Sequence, residues 1–334
     1  MKHFFLFLLL AFLPLLSSCD FNNILADHDG GTIDVDSIGV ANTDGSGYRM
    51  LAEGENAHFT PDSKTIIFSN NTGLYSIGVD GSSLTCLYKK KLINNLIVSP
   101  DGTRIAFVSD SSQTIYLITV DGSGFRSLYQ SNSGKKILYF SDDGTKLYFL
   151  ENNNFSSVDL NGNSRFLSTS PYFGYGWEPV IIPDGSGVLF FKRSENDSHL
   201  ILRNLDTQKD SIIVECDYIG VGRKPAKFIS QSTFLYIYKD TLYSYNLLKG
   251  ERQSCIPISN NAKKYSDGIY YYYSQDGKKI AYRTYYNKIE VVNIDGSENT
   301  VLTVPESTSD FFPYQISLDN KKVAFISIGR KSVD

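Results

Sequence analysis

The chain has 334 residues, of which 41% are hydrophobic and 20% are charged, and its formal net charge is −4. A mildly acidic chain lacks the basic footprint that general nucleic-acid binding needs, so we expect no nucleic-acid partner. Aromatic residues make up 13% of the chain, with 23 tyrosines, which predicts large rings packed between the faces of sheets.

Residues 1–19 indicate a targeting segment rather than part of a folded domain. The apolar run Phe4–Leu16 follows Lys2 and is shorter than the ~20 residues of a membrane-spanning helix. It ends in Leu16-Ser17-Ser18-Cys19, which resembles the bacterial lipobox. That resemblance implies a lipoprotein signal peptide, lipidation of Cys19 and attachment to an envelope membrane, with the outer membrane favoured over the inner. The alternative is an ordinary secretory signal with a chance cysteine.

One repeating unit occupies the chain after a short polar stretch, residues 20–32, that we expect to be a flexible tether. The repeats extend over residues 33–334, and the clearest copy, residues 96–128, contains four β-rich runs. Pro100-Asp101-Gly102 separates the first two runs, and Asp121-Gly122 separates the last two. Asp-Gly between β-rich runs indicates a tight hairpin, because glycine tolerates the positive φ of such turns.

The first of these turns recurs along the chain with a period that matches the roughly 40–45 residues of a propeller blade. The copies begin at Thr60, Ser99, Ser141, Ile182, Ser230, Ser274 and Ser317. The unbroken repeat predicts a single all-β domain, a seven-bladed β-propeller with four-stranded antiparallel blades.

Each end of the repeat contains half a unit. The last copy has two β-rich runs, around Tyr314–Ser317 and Lys322–Ser327, and the other two are at Ser37–Thr43 and Tyr48–Ala52. An open ring would expose unpaired strand edges. We therefore predict that the N-terminal strands complete the last blade.

The repeat resembles the WD-like repeat of TolB-type β-propellers, whose modules contain F-S-P-D-G, then I-A-F, then I-Y and D-G. The chain follows this pattern at Val98-Ser99-Pro100-Asp101-Gly102, Ile105-Ala106-Phe107 and Ile115-Tyr116. The resemblance covers about residues 33–328. It implies the fold but not the function, because binding scaffolds, sensors and enzyme accessory domains share such modules. The familiar TolB propeller has six blades, so seven turns are a departure.

The irregular loops of the repeat lie on the face of the ring opposite the tight turns, and binding residues concentrate in such loops. Pro171–Pro179 contains the only tryptophan and Gly222–Lys227 is basic. The candidate ligand-binding residues are Tyr172, Phe173, Tyr175, Trp177, Arg223 and Lys224. The alternative is that these rings pack between blades or plug the channel, and that the basic residues form a solvated rim.

Three cysteines remain besides Cys19, and each maps to the outermost strand of its blade: Cys86, Cys216 and Cys255. Neighbouring blades diverge at their rims, while a disulfide needs Cα atoms within about 7 Å. We therefore expect no disulfide bond.

Sequence patterns of catalysis are missing, because neither HExxH nor GxSxG occurs and no hydrolase domain follows the repeat. Seven-bladed oligogalacturonate lyases use a histidine-rich metal site. Outside the targeting segment the histidines are only His28, His58 and His199, too few to form one. We expect no enzyme activity, no metal and no cofactor.

The sequence thus predicts a non-enzymatic, lipid-anchored binding or scaffold protein of the cell envelope, monomeric, which contacts a protein or a glycan through the loop-rich face. The alternative is a carbohydrate-active enzyme, a lyase or hydrolase, that uses carboxylates in the channel. Two carboxylates about 5–10 Å apart would favour the enzyme. An aromatic-lined mouth without titratable pairs would favour binding.

Overall fold

The computed structural model describes residues 32–90, 93–109, 113–169, 178–193, 198–215, 226–238, 241–258, 264–265, 268–269, 271–284, 288–303 and 310–332. All regular elements in these ranges are β-strands. No helix long and apolar enough to cross a membrane occurs in the described part of the chain. The all-β prediction is confirmed.

The strands are short and follow one another closely along the chain. In order, they are β1 (Thr32–Asn42), β2 (Arg49–Glu53), β3 (Glu55–Phe59), β4 (Thr65–Asn70), β5 (Gly73–Gly78), β6 (Thr85–Tyr88), β7 (Ile93–Val98), β8 (Arg104–Ser109), β9 (Thr114–Thr119), β10 (Arg126–Gln130), β11 (Lys135–Phe140), β12 (Lys146–Glu151), β13 (Asn154–Asp159), β14 (Ser164–Thr169), β15 (Val180–Ile181), β16 (Gly187–Arg193), β17 (Ser198–Asn204), β18 (Asp210–Glu215), β19 (Lys227–Phe228), β20 (Thr233–Tyr238), β21 (Thr241–Asn246), β22 (Glu251–Pro257), β23 (Lys264–Tyr265), β24 (Gly268–Ile269), β25 (Tyr271–Tyr273), β26 (Lys279–Arg283), β27 (Ile289–Asn293), β28 (Thr300–Leu302), β29 (Asp310–Ile316) and β30 (Lys322–Ser332).

Seven four-stranded antiparallel sheets form the blades of a propeller, as the repeat predicts. Blades 1 to 5 are β3–β6, β7–β10, β11–β14, β15–β18 and β19–β22; blade 6 is β25–β28, and blade 7 is β29, β30, β1 and β2. The first strand of a blade contacts the first strand of the next blade. For example, β3 of blade 1 contacts β7 of blade 2 and β29 of blade 7. These strands therefore surround the axis, and the fourth strands form the rim.

The two ends of the chain meet in blade 7, which confirms the predicted closure. β1 pairs with β30 along its whole length, from Thr32 opposite Ser332 to Asn42 opposite Lys322. A side chain also joins blade 7 to blade 1, because the backbone N–H of Phe59 donates to Gln315 Oε1 at 2.8 Å. The ring therefore has no open gap between its first and last blades.

The core consists of the spaces between adjacent blades. Central strands such as β8 are buried along nearly their whole length, because a neighbouring blade covers each face of the sheet. Between blades 1 and 2, Ile67 and Leu74 pack with Phe107 in one buried cluster. Burying one such side chain contributes about 1.5–3 kcal/mol, so each blade is stabilised mainly by its neighbours.

The predicted Asp-Gly turns are present and have the expected backbone. Gly102 has φ of 70° and Gly122 has φ of 85°, a region that only glycine adopts readily. In the first turn of blade 2, Asp101 Oδ1 accepts from the hydroxyl of Ser99 at 2.5 Å and from the backbone N–H of Thr103 at 3.0 Å. The carboxylate therefore satisfies polar groups that the hairpin leaves free.

The expectation of no disulfide bond is wrong, because Cys86 is disulfide-bonded. Its partner is not among the described residues. Cys255 is a free thiol on β22, partly buried, and its burial raises the pKa of the thiol.

Candidate ligand-binding site

None of the residues chosen from the sequence falls in the described part of the chain. The lipidation residue Cys19 lies outside it, and so do the candidate ligand-binding residues Tyr172, Phe173, Tyr175, Trp177, Arg223 and Lys224. Their roles stay predictions. The residues just outside the aromatic segment are described, since β14 ends at Thr169 and Glu178 precedes β15.

The strand order gives the ring two different faces. Turns between first and second strands, and between third and fourth strands, lie on one face, called here the turn face. Connections between second and third strands, and between consecutive blades, lie on the opposite loop face. Thr169 and Glu178 are on the loop face, because β14 is a fourth strand and β15 is the next first strand.

Several carboxylates of the turn face accept hydrogen bonds within their own turns, and Asp276 also accepts from Asn320 Nδ2 of the next turn at 2.8 Å. Hydrogen bonds from the Ser99 and Ser141 hydroxyls, with backbone N–H donors two residues beyond each Asp, lower the pKa of Asp101 and of Asp143 to about 2. A groove of about 370 Å³ lies here between blades 1 and 2, and Asp62 and Asp101 line it. Its carboxylates already accept hydrogen bonds from their own turns, so this face offers structure rather than chemistry.

A buried lysine holds the loop face together between blades 2 and 3. The Lys135 ammonium donates to the Gln113 carbonyl at 2.6 Å, to Ser131 Oγ at 2.7 Å and to the Ser133 carbonyl at 2.8 Å. Glu151 lies 3.6 Å from it, and the lysine side chain is fully buried. Burial lowers the pKa of Lys135, and the Glu151 carboxylate opposes that shift. All three ammonium protons have acceptors, so Lys135 is a structural cation.

The residues that follow the aromatic segment are attached to the first strand of blade 3. Lys136 Nζ lies 3.1 Å from Glu178 Oε1. The Tyr139 hydroxyl donates to the Pro179 carbonyl at 3.2 Å and accepts from the Ile181 N–H at 2.8 Å. Thus the chain after Trp177 begins beside an axial strand on the loop face, which is where the sequence placed the binding surface.

Three aromatic side chains on consecutive axial strands contact one another, and they are called here the channel aromatic row: Tyr272, Tyr314 and His58. The Tyr272 and Tyr314 rings are stacked with centroids 5.9 Å apart, and the His58 ring meets Tyr314 edge-on at 5.6 Å. All three are partly buried. Because the three residues belong to the first strands of blades 6, 7 and 1, the row lies along the strands that surround the axis.

Buried charge lies beside the row at the loop-face end of blade 6. The Arg283 guanidinium is fully buried and sits 4.3 Å from the centroid of the Phe312 ring on β29. The Tyr282 hydroxyl donates to Glu290 Oε2 at 2.6 Å within the same blade. A cation over a ring and a carboxylate bound to a phenol are both stabilised by these partners.

The row combines aromatic rings with hydroxyl and imidazole groups, and Tyr314 also packs against the buried cluster between blades 7 and 1. Among the described residues no three His, Cys, Asp or Glu side chains converge as metal ligands.

Sequence reasoning missed the channel aromatic row because it searched the irregular loops. His58 and Tyr272 both lie two residues before the first residue of a repeated turn, and Tyr314 lies three before one. An aromatic residue two or three positions before several of the repeated turns was the available signal. These positions lie on the first strands of the blades, which surround the axis.

Comparison with known proteins gives similarity in fold only. No protein-family model matches the chain, and no curated protein matches its sequence. A manganese complex of oligogalacturonate lyase is similar with a TM-score of 0.64 at 14% identity, over 90% of this chain and 97% of that chain. Oligogalacturonate lyase from Vibrio parahaemolyticus has a TM-score of 0.63 at 14% identity, over 90% and 98%. TolB from Acinetobacter baumannii has a TM-score of 0.45 at 14% identity, over 66% and 63%.

The β-propeller fold that the resemblance to TolB-type repeats implied is confirmed by the seven four-stranded sheets. The expectation that the chain is not an enzyme is wrong as a conclusion from the sequence. It depended on missing hydrolase motifs, a missing second domain and too few histidines for the metal site of such lyases, yet the chain covers 97% of an oligogalacturonate lyase, which is an enzyme. A propeller of this size with no added domain therefore does not exclude catalysis.

Proposed function

We propose that the protein binds a glycan at the loop face and in the channel beneath it, while lipid on Cys19 holds it at the outer membrane of a bacterial envelope. The channel aromatic row carries the binding part of this proposal. Its rings are fixed by three consecutive blades, so the surface is preorganised and little ordering is needed when a ligand arrives.

A glycan fits this surface better than a folded protein does. Sugar rings have apolar faces that stack on tyrosine and polar edges that accept and donate hydrogen bonds, and the row supplies both kinds of partner. A single glycan chain is also narrow enough to approach the axis between blades, whereas a protein surface would contact only the loops around it.

The proposed anchor is supported by the lipobox-like Leu16-Ser17-Ser18-Cys19. The chain from Asp20 to Thr32, where β1 begins, could extend at most roughly 3.3–3.6 Å per residue, which lets the ring stand away from the membrane. Replacing Cys19 by Ala should move the protein from the membrane fraction to the soluble fraction. Retention of the Cys19→Ala variant in membranes would contradict the anchor.

The test of binding is a glycan array probed with the labelled full-length chain, its Tyr314→Ala variant and the control Phe166→Ala. Phe166 is an aromatic residue of β14 that is 58% exposed at the rim. We expect Tyr314→Ala to weaken binding about tenfold, the equivalent of about 1.4 kcal/mol, and Phe166→Ala to bind as the parent chain does. Equal binding by all three proteins would show that the glycan does not bind at the channel aromatic row.

Incubating the chain with each glycan that it binds would then separate binding from turnover. New reducing ends or new carbon–carbon double bonds appear only if a glycosidic bond is broken. Their formation, and its loss in Tyr314→Ala, would place a reaction in the same channel.

A further inference from the structure

The three most exposed large apolar side chains of the described residues lie on three consecutive blades. They are Phe166 at 58%, Ile212 at 68% and Leu248 at 86% exposure. They belong to blades 3, 4 and 5 and occupy the half of the rim nearest the turn face. Together they are called here the rim patch. Grouped exposed apolar residues on a soluble surface indicate an interaction site.

The fourth strand of blade 4, β18, lies at the centre of the rim patch. A strand at the edge of a sheet presents unpaired backbone groups, and natural proteins protect such edges with basic residues, proline or very short strands. Four of the other fourth strands carry an arginine: Arg49, Arg126, Arg165 and Arg252. The remaining two, β6 and β28, have four and three residues.

β18 has neither the arginine nor the shortness of the others, although it does contain a bulge, since Leu200 pairs with Val214 but Ile201 pairs with Ile212. Its sequence is DSIIVE, six residues without lysine, arginine or proline. Ile213 and Val214 pack on the core between blades 4 and 5, while Ile212 points outward. Within the described chain its one strand partner is β17. Three consecutive β-branched residues on an open edge favour pairing with another extended strand.

Charge at the two ends of β18 is self-complementary. Lys209 is exposed just before the strand, and Glu215 is exposed at its end. Asp210 is already neutralised, because Arg203 Nε lies 2.6 Å from Asp210 Oδ1 and Arg203 Nη2 donates to Oδ2 at 2.8 Å. If a second β18 ran antiparallel to the first, Lys209 of each copy would approach Glu215 of the other.

We propose that β18 is a self-association edge and that its occupant is a second copy of this chain. The two β18 strands pair antiparallel about a twofold axis near Ile212, which is the isologous arrangement of most dimers. This differs from the monomer that the sequence suggested. A six-residue edge buries less than the ~1,600 Å² of a standard interface, so the dimer is weak.

The association is measured by sedimentation of the full-length chain in detergent over a range of concentrations. Ile212→Lys places a charge on the open edge and should weaken the dimer at least about tenfold, since burying an unpaired lysine costs more than the ~1.4 kcal/mol of that factor. The control is Met50→Lys on β2, an exposed apolar position beside Arg49. It should leave the dimer unchanged.

Charge reversal tests the pairing itself. Lys209→Glu and Glu215→Lys each place like charges opposite one another and should each lower the dimer fraction. Mixing the two single variants restores opposite charges at both ends, as does combining both changes in one chain, and both should recover the dimer. Equal melting temperatures would show that the single variants are folded.

A monomer at every concentration, or a dimer that Ile212→Lys does not weaken, would overturn the proposal. A photo-activated cross-linker at position 212 in the full-length chain in cells should yield a product of twice the chain mass. Cross-linking only to a different polypeptide would assign the edge to another partner and would overturn it as well.

Discussion

The turn face and the loop face of the ring are stabilised in different ways. On the turn face each hairpin is closed by its own residues, as when Asp101 accepts from Ser99 and from Thr103. On the loop face the contacts join residues that are distant in sequence, such as Lys136 with Glu178 and Tyr139 with Pro179. Local contacts recur in most copies of the repeat, whereas distant ones differ from blade to blade. Contacts on the turn face therefore follow from the repeat, whereas contacts on the loop face are specific to individual blades.

Opening the ring should have the largest effect, because it removes the support of both faces. Truncation after residue 309 deletes β29 and β30, and β1 loses the partner with which it pairs from Thr32 to Asn42. We expect loss of cooperative thermal unfolding, measured by circular dichroism. Truncation after Ser332, which retains both strands, is the control. An unchanged melting temperature of the shorter chain would contradict closure through blade 7.

Lys135→Met should be the most damaging single change on the loop face. It leaves the carbonyls of Gln113 and Ser133 and the Glu151 carboxylate without their buried cation. Breaking a buried pair in this way costs about 3 kcal/mol, measurable by urea unfolding. Lys136→Met is the control, since the Lys136 side chain is 40% exposed and such pairs contribute about 0–1 kcal/mol. Equal losses would show that burial does not distinguish the two lysines.

Gly102→Ala should destabilise the turn face by about 2 kcal/mol. The left-handed backbone, with φ of 70°, costs an L-residue about 1–2 kcal/mol, and the new Cβ would lie 2.9 Å from Pro61 Cδ. Gly185→Ala has a similar φ of 77° and nothing within 4 Å, so we expect about 1 kcal/mol there. If both variants unfold at the same urea concentration, contact between neighbouring turns contributes nothing.

Asp101→Asn should have the smallest effect, about 1 kcal/mol near neutral pH for weakened hydrogen bonds, because the Asp101 side chain is 47% exposed and solvent screens its charge. The folded pKa is about 2 and the unfolded pKa is about 3.9. The carboxylate therefore stabilises the fold above pH ~4, and that contribution disappears as the pH falls towards 2.

The difference in melting temperature between the parent chain and Asp101→Asn should shrink across that interval. Asp142→Asn, at an exposed position of the equivalent turn in blade 3, is the control. A difference that stays constant from pH 4 to pH 2 would show that the bonds from Ser99 and Thr103 do not depend on the charge.

The fold was predictable because its signals are local and repeated. Gly102, Gly144 and Gly277 all have positive φ at positions where the repeat placed a turn. The blade 5 turn at Ser230-Gln231-Ser232 lacks Asp-Gly, yet the β-rich run after it, β20, spans Thr233–Tyr238. Two regular copies on each side were enough to locate a degenerate one.

The channel aromatic row could not be predicted in the same way. His58 and Tyr314 meet because the first and seventh blades become neighbours on closure, and the position of each ring before a repeated turn indicates its strand but not this contact. Lys135 and Lys136 are adjacent in the sequence, yet the fold buries Lys135 and leaves Lys136 partly exposed. The side of the strand on which each lysine lies decides whether it is buried, and the amino-acid composition does not show which side that is.

Ring closure also sets the order in which the molecule can be made. Ile38 needs Ile326 opposite it, so β1 is synthesised well before β30 and must wait for a partner that is far from it in the sequence. Until then, an apolar strand is available for wrong partners, and pairing between such distant segments is slow. Biogenesis should therefore depend on a chaperone that shields the nascent N-terminal segment, and the vulnerable period ends only when the final hairpin arrives.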